Sequence, residues 1–202
     1  MQVPRGRFGR PSAYRGVFSE ALRGSAWLFL KASGWHVAHD WPGVSKSVIV
    51  AAPHTSNLDG LLMLSIAAWY RQKLSWMGKA QLVKGPLGPL MRRAGCVPVD
   101  RSKSTDAVTQ MRDAFEAADT LHLAVSPEGT RDANAEWKSG FWHIAHTAGV
   151  PLLLAVLDYG TRQMRFIGPL TTSGDYETDL ALIVSHYRSA EGRFPERFVL
   201  PL

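Results

Sequence analysis

Cysteine is nearly absent: Cys96 is the single one in 202 residues. No intrachain disulfide can form, so a reducing compartment is permitted. Cys96 sits in the apolar stretch "AGCVPV" and reads as a small buried side chain, not a reactive thiol. Long apolar runs are lacking too. A membrane-spanning helix needs about 18 apolar residues, and "LLMLSIAAWY" and "VPLLLAVL" fall well short. A secretory leader is not expected either. "SAWLFLKA" is short, contains Lys31 and has no clear small-residue cleavage site. The chain shows no internal repeat, low-complexity tract or interdomain linker. Its basic residues are dispersed and carry no nucleic-acid-binding motif, so nucleic acid is not expected as a partner.

What is present fits one folded unit. The length suits one sizeable core rather than two. A hydrophobic fraction of 46% sets the chain apart from disordered sequences. The formal charge of +6 suits an anionic partner, such as a membrane surface or a phosphorylated substrate. Residues 1–14 hold Arg5, Arg7 and Arg10 and read as a flexible basic arm. Residues 17–31 predict an amphipathic helix with Phe18, Leu22, Ala26 and Phe29 on one stripe. Val17, Ala21 and Leu28 widen the stripe, while Arg23 and Lys31 lie outside it. Two readings stay open for this helix, packing on the core or lying in a membrane interface. Trp27, Trp35 and Trp41 suit the second. The chain is therefore divided into residues 1–40, the arm and helix, and residues 41–202, the main domain.

From residue 48 onward strand and helix patterns alternate. "SVIVAA", "LSWMGK", "CVPVD", "LHLAVS", "VPLLLAVLDY" and "QMRFIG" read as strands. "LDGLLMLSIAAWYRQ", "STDAVTQMRDAFEAAD", "SGFWHIAHTAG" and "GDYETDLALIVSHYRS" read as helices. The expected fold is α/β: one domain with a central, mostly parallel mixed sheet, flanked by helices and preceded by the N-terminal amphipathic helix. In such folds ligands gather where strand ends meet helix starts. Three polar clusters fall there: "HTSNLD", "VDRS" and "SPEGTRD".

His54 and Asp59 are five residues apart. On a continuous helix they would differ by about 140° in direction. "HTSN" supplies a turn, and Ser56 or Asn57 is a candidate cap for a helix starting near Leu58. Asp59 would then reach back to the imidazole. A carboxylate on one ring nitrogen fixes the tautomer and makes the other a better base. The spacing alone also suits an ordinary loop histidine. Glu128 and Arg131 read equally well as a surface ion pair. His143 and His146 share a helix face, but no acidic or Cys ligand joins them in a metal motif, so no metal is expected. The tryptophans at 69, 76, 137 and 142 are expected in core and pocket walls.

Taken in order, "HTSNLD", "GKAQLVKGPLGPLMRRAGCVPVDRS", "SPEGTR" and "VPLLLAV" resemble the four blocks of the PlsC-type glycerolipid acyltransferases. The resemblance runs from about residue 48 to 157. It implies transfer of a fatty acyl group to the hydroxyl of a lysophospholipid-like acceptor. The donor would be an acyl-CoA or acyl-carrier-protein thioester, a substrate and not a cofactor. His54 would be the general base and Asp59 its orienting carboxylate. Attack would be direct, in keeping with the missing G-x-S-x-G motif. Lys79, Arg101 and Arg131 resemble cations that hold the acceptor phosphate. Glu128, Gly129 and Thr130 resemble the substrate-binding residues beside them. Val150–Val156 resembles the acyl-side segment. Gln81, Leu154 and Asp132 depart from the family's usual Glu, Pro and small hydroxyl residue. The implied setting is cytoplasmic, peripheral to the inner face of the cell membrane. A non-catalytic lipid- or acyl-carrier-binding module and an acyl-thioester hydrolase are the alternatives.

Overall fold

The computed structural model describes residues 17–38, 40–99 and 104–201. The basic arm, with Arg5, Arg7 and Arg10, lies outside the described residues, as does Arg101. The strands are β1 (His36–Val37), β2 (Lys46–Ala52), β3 (Leu74–Lys79), β4 (Cys96–Val99), β5 (Leu121–Val125), β6 (Leu152–Asp158) and β7 (Gln163–Leu170). The helices are α1 (Val17–Ala32), α2 (Asn57–Trp69), α3 (Gly88–Arg93), α4 (Ser104–Ala117), α5 (Gly140–Ala148) and α6 (Tyr176–Ser185).

The strands form one sheet in the order β1-β7-β6-β2-β5-β3-β4. Neighbours run parallel except β6 and β7, which are antiparallel. The short β6–β7 link permits a hairpin, whereas parallel neighbours need longer crossovers. The expected mostly parallel mixed sheet is therefore observed. β1 escapes the sequence pattern because two residues carry no periodicity.

Alternation along the central strands divides the core. Val48, Val50 and Ala52 of β2 share one face with Leu152, Leu154 and Val156 of β6. Met111 and Phe115 of α4, Phe141 and Ile144 of α5, and Ile183 of α6 cover it. Ile49, Leu153, Ala155 and Leu157 turn to the other face, which α1 and α2 cover through Leu30, Leu62, Ile66 and Trp69. Each fully buried aliphatic or aromatic side chain here contributes about 1.5–3 kcal/mol relative to exposure. Cys96 is free and buried.

The α1 stripe needs correction. Among the described side chains of α1, Ser19, Ala26 and Leu30 are buried, and Arg23 joins them half-buried. The Arg23 guanidinium lies 4.4 Å from the Trp69 ring, and its Nε donates to Trp69 O at 3.2 Å. Leu22, Trp27 and Leu28 face outward, Leu28 at 60% exposure. Hydropathy alone misplaced Arg23, because a guanidinium can stack on an aromatic face while bonding a carbonyl.

Topology also places the site. From β2 the chain moves to β3 and β4, returns to insert β5 beside β2, then continues on β2's other side with β6. The connections change direction around β2, where open α/β sheets leave a crevice at the strands' carboxyl ends. β2, β3, β4, β5 and β6 all end on that edge.

Candidate active site

β2 delivers His54 to this edge, and the next five residues are tightly bonded. Ser56 is the N-cap of α2, and its Oγ accepts from Leu58 N at 3.2 Å. Ser56 N donates to Asp59 Oδ2 at 2.7 Å, and Ser56 Oγ donates to Asp59 Oδ1 at 2.8 Å. This is a capping box: the third helical residue's carboxylate turns back to satisfy the cap. It also aims Asp59 at the imidazole. Asp59 Oδ2 lies 3.5 Å from His54 Nδ1. With Nδ1 turned to the carboxylate, Nε2 is the nitrogen available to a substrate proton.

A third group holds Asp59. The Tyr159 hydroxyl donates to Asp59 Oδ1 at 2.5 Å across 100 residues of sequence. The Tyr159 ring is steadied edge-on by Trp35, 4.9 Å between centroids. Asp59 is 1% exposed, and these bonds satisfy its carboxylate. The sequence reading missed Tyr159, although a signal existed. It follows β6, a fourth strand end on the edge where the polar clusters were sought.

Glu128, after β5, does not pair with Arg131. It is 3% exposed and accepts from His54 N with both oxygens, at 3.2 and 3.0 Å. Ser126 Oγ donates to it at 3.1 Å. Burial pushes its carboxyl up to about 7, against the opposing pull of the His54 N–H and Ser126. Glu128 thus fixes the backbone of His54 while Asp59 faces the ring.

The remaining expected residues surround this centre less closely. Gly129 has φ +67, a conformation that disfavours side chains, and a Cβ there would lie 2.7 Å from Lys138 Cε. Lys138 is thereby a cation packed on this loop that sequence reading passed over. Thr130 Oγ1 accepts from Asp132 N at 3.2 Å, closing the loop on itself. Arg131 is exposed, yet its charge acts on His54. Burial holds the His54 pKa below its ordinary value; Asp59 opposes this and Arg131 adds to it. This favours the neutral imidazole, the form a base requires. Lys79 ends β3 exposed and pairs in register with Val99, two residues before Arg101.

His143 and His146 contact neighbouring rings instead. His146 stacks on Trp142 at 4.9 Å and its Nδ1 is 3.0 Å from Thr172 Oγ1. His143 lies against Trp142 and Tyr176. Among the described residues no group of three or more His, Cys, Asp or Glu is placed to hold a metal ion. Trp69, Trp137 and Trp142 are buried, as expected, while Trp76 is half-exposed and donates Nε1–H to Ala94 O at 3.2 Å.

Comparison with known proteins gives one consistent signal. The acyltransferase family model matches residues 35–157. A probable 1-acyl-sn-glycerol-3-phosphate acyltransferase of Mycoplasma genitalium is 33% identical over 141 residues, covering 64% of this chain and 50% of that protein. The human 1-acyl-sn-glycerol-3-phosphate acyltransferase beta is 27% identical over 139 residues, covering 63% of this chain and 49% of that protein. The chain spans about half the length of the curated relatives it matches. Among solved structures, the 1-acyl-sn-glycerophosphate acyltransferase PlsC of Thermotoga maritima aligns with a TM-score of 0.54 at 16% identity, covering 82% of this chain and 76% of that one. The fold is shared with that protein.

Proposed function

This chain belongs to the acyltransferase family, and we propose that it moves a fatty acyl group from a thioester to the hydroxyl of a lysophospholipid-like acceptor. The donor in this reading is acyl-CoA or acyl-carrier protein, and the reaction needs no further cofactor. The observation that carries it is the His54–Asp59 pair, 3.5 Å apart at a strand end, with Glu128 bonded to the His54 backbone.

The hydroxyl of an alcohol is far too weak an acid to ionise at neutral pH. His54 Nε2 takes its proton as the oxygen attacks the thioester carbonyl. Asp59, held by Ser56 and Tyr159, steadies the imidazolium that forms. The new C–O bond replaces the C–S bond, and the leaving sulfur recovers the proton from His54. Lys79 and Arg131 attract the acceptor phosphate, and Arg101, outside the described residues, is assigned the same role. Glu128, Gly129 and Thr130 shape the adjoining loop. The measurement that tests this is thiol release from an acyl thioester with and without lysophosphatidate. Release that depends on the acceptor and yields the diacyl product supports transfer. Release without acceptor indicates a hydrolase, and no release indicates a binding module.

Work at the inner face of the cell membrane is part of the same proposal. No helix of the described residues is long and apolar enough to cross a membrane. Residues 1–40 would serve the bilayer side and residues 41–202 the chemistry. Support comes from exposed Leu22, Trp27 and Leu28 on α1 and from Leu82, Leu87 and Leu90 near Lys84, Arg92 and Arg93. Residues 60–99 contain no Asp or Glu at all. Replacing Trp27 and Leu28 with Glu spares the packed face and should reduce cosedimentation with anionic vesicles. Unchanged cosedimentation would remove α1 from the interface.

A further inference from the structure

The family match ends at residue 157, yet the chain returns to the site beyond it. Tyr159 N donates to Glu191 O at 2.9 Å, and Glu191 N donates to Asp158 Oδ1 at 3.3 Å. Gly192 is buried against the His54 turn: a Cβ there would stand 2.9 Å from Thr55 Cγ2 and 3.4 Å from Pro53 Cβ. Phe194 N donates to Thr55 Oγ1 at 3.3 Å. The backbone of residues 191–194 is therefore tied to Pro53 and Thr55, the neighbours of His54, and to Tyr159, which holds Asp59.

Beyond Glu191, the side chains this segment presents are cationic and aromatic. The Arg193 and Arg197 guanidinium carbons lie 5.6 and 4.8 Å from the Phe194 ring centroid. Arg197 faces Glu196 at 3.8 Å on the surface. Arg193 forms no ion pair with a carboxylate among the described residues, and its charge acts on the Tyr159 hydroxyl. An exposed arginine is ordinarily a solvated surface group. Three features set Arg193 apart: a backbone anchored on both sides, an aromatic ring 5.6 Å from its guanidinium, and a charge felt by Tyr159, which holds the carboxylate facing the base. A guanidinium so held meets a phosphate with two parallel bonds at reduced entropic cost.

We propose that Arg193, steadied by Phe194 and carried by the anchored 191–194 segment, binds a phosphate group of a substrate during acyl transfer. This rests on the acyl-transfer reading above and adds a residue from outside the matched region. The phosphate belongs either to the acceptor or to the carrier of the acyl donor.

Kinetics of Arg193→Gln and Arg193→Lys decide the matter. The acceptors are 1-acylglycerol 3-phosphate and monoacylglycerol; the donors are acyl-CoA and an acyl thioester without phosphate. Arg193→Gln should raise KM about tenfold for a phosphate-bearing substrate, Arg193→Lys should recover part of it, and Tm should not move. A rise confined to the phosphorylated acceptor assigns the acceptor phosphate. A rise confined to acyl-CoA assigns the donor. No rise, or an equal rise with the phosphate-free counterparts, overturns the proposal. If the unaltered protein transferred no acyl group, the functional reading would fail separately. Thermal stabilisation by 1-acylglycerol 3-phosphate over monoacylglycerol would still report on Arg193. Its loss in Arg193→Gln supports the site, and its survival overturns it.

Discussion

Two histidines sit on neighbouring central strands and differ in nearly everything else. His54 stands just past the end of β2, with Nδ1 facing a carboxylate and its side chain 29% exposed. His122 stands within β5, 3% exposed, with Nδ1 2.9 Å from Ser47 Oγ and its ring edge-on to Trp41. Both are held below the ordinary imidazole pKa by burial, His122 down to about 4. A depressed pKa is thus shared and does not by itself mark a base. What separates them is the carboxylate on one nitrogen and a route to solvent for the other. His122 has the Ser47 hydroxyl and the edge-on Trp41 ring instead.

The largest test of this contrast is His54→Ala. General-base assistance is typically worth about 10²–10⁴ in rate. The variant should lose roughly that factor in turnover while keeping its Tm close to that of the unaltered protein. Asp59→Asn should lose much of it too, because an amide cannot stabilise the imidazolium. It should also weaken the α2 cap that Asp59 completes. A folded His54→Ala protein with normal transfer would end the base assignment.

His122→Ala should do the reverse. It removes packing against Trp41 and strands the Ser47 hydroxyl, at a cost of roughly 2–4 kcal/mol in stability. Turnover per folded molecule should hardly change. The pH dependence has a definite sign. The folded pKa is about 4, below the ordinary value of 6.5, so the unfolded chain takes up the proton first. Stability falls as pH drops through that window, and His122→Ala should flatten this part of the curve. Denaturant melts between pH 7 and 4 measure it.

The difference between the two histidines was half legible. The strand before His54 and the turn after it stand out as Val/Ile density followed by "HTSN", because local composition decides both. His122, inside "LHLAVS", carries no such signal, since nothing local says that Ser47 lies opposite it. Tyr159 is legible as a polar residue after a strand end, but its contact with Asp59 exists only through sheet order. Glu128 was visible as a residue but not as a buried one, because its partner is a backbone N–H, which no side-chain pattern reports. Arg23 fails differently. A charged residue facing inward breaks the hydropathy stripe, and the packed Trp69, with Glu20 3.4 Å away, makes that position acceptable.

Arg131 provides the smallest and sharpest test, since it separates electrostatics from geometry at His54. It is exposed and forms no ion pair with Glu128, so its removal should leave the fold intact. Two readouts should move together. If Arg131 holds acceptor phosphate, Arg131→Ala should raise KM for lysophosphatidate with little change for the thioester donor. Such a charge-assisted contact is worth roughly 1.5–3 kcal/mol; solvent exposure places the effect at the lower end. The second readout is the acid limb of the rate profile. Arg131 lowers the His54 pKa, so without it the imidazole holds its proton more firmly. Only the neutral ring acts as base, so activity should begin to fail at a higher pH than in the unaltered protein. The shift should shrink as salt is added, because the charge acts through solvent. A raised KM with an unmoved acid limb would place Arg131 on the phosphate but out of electrostatic reach of His54. If neither readout moved, Arg131 would be a surface cation and His54 would owe its low pKa to burial alone.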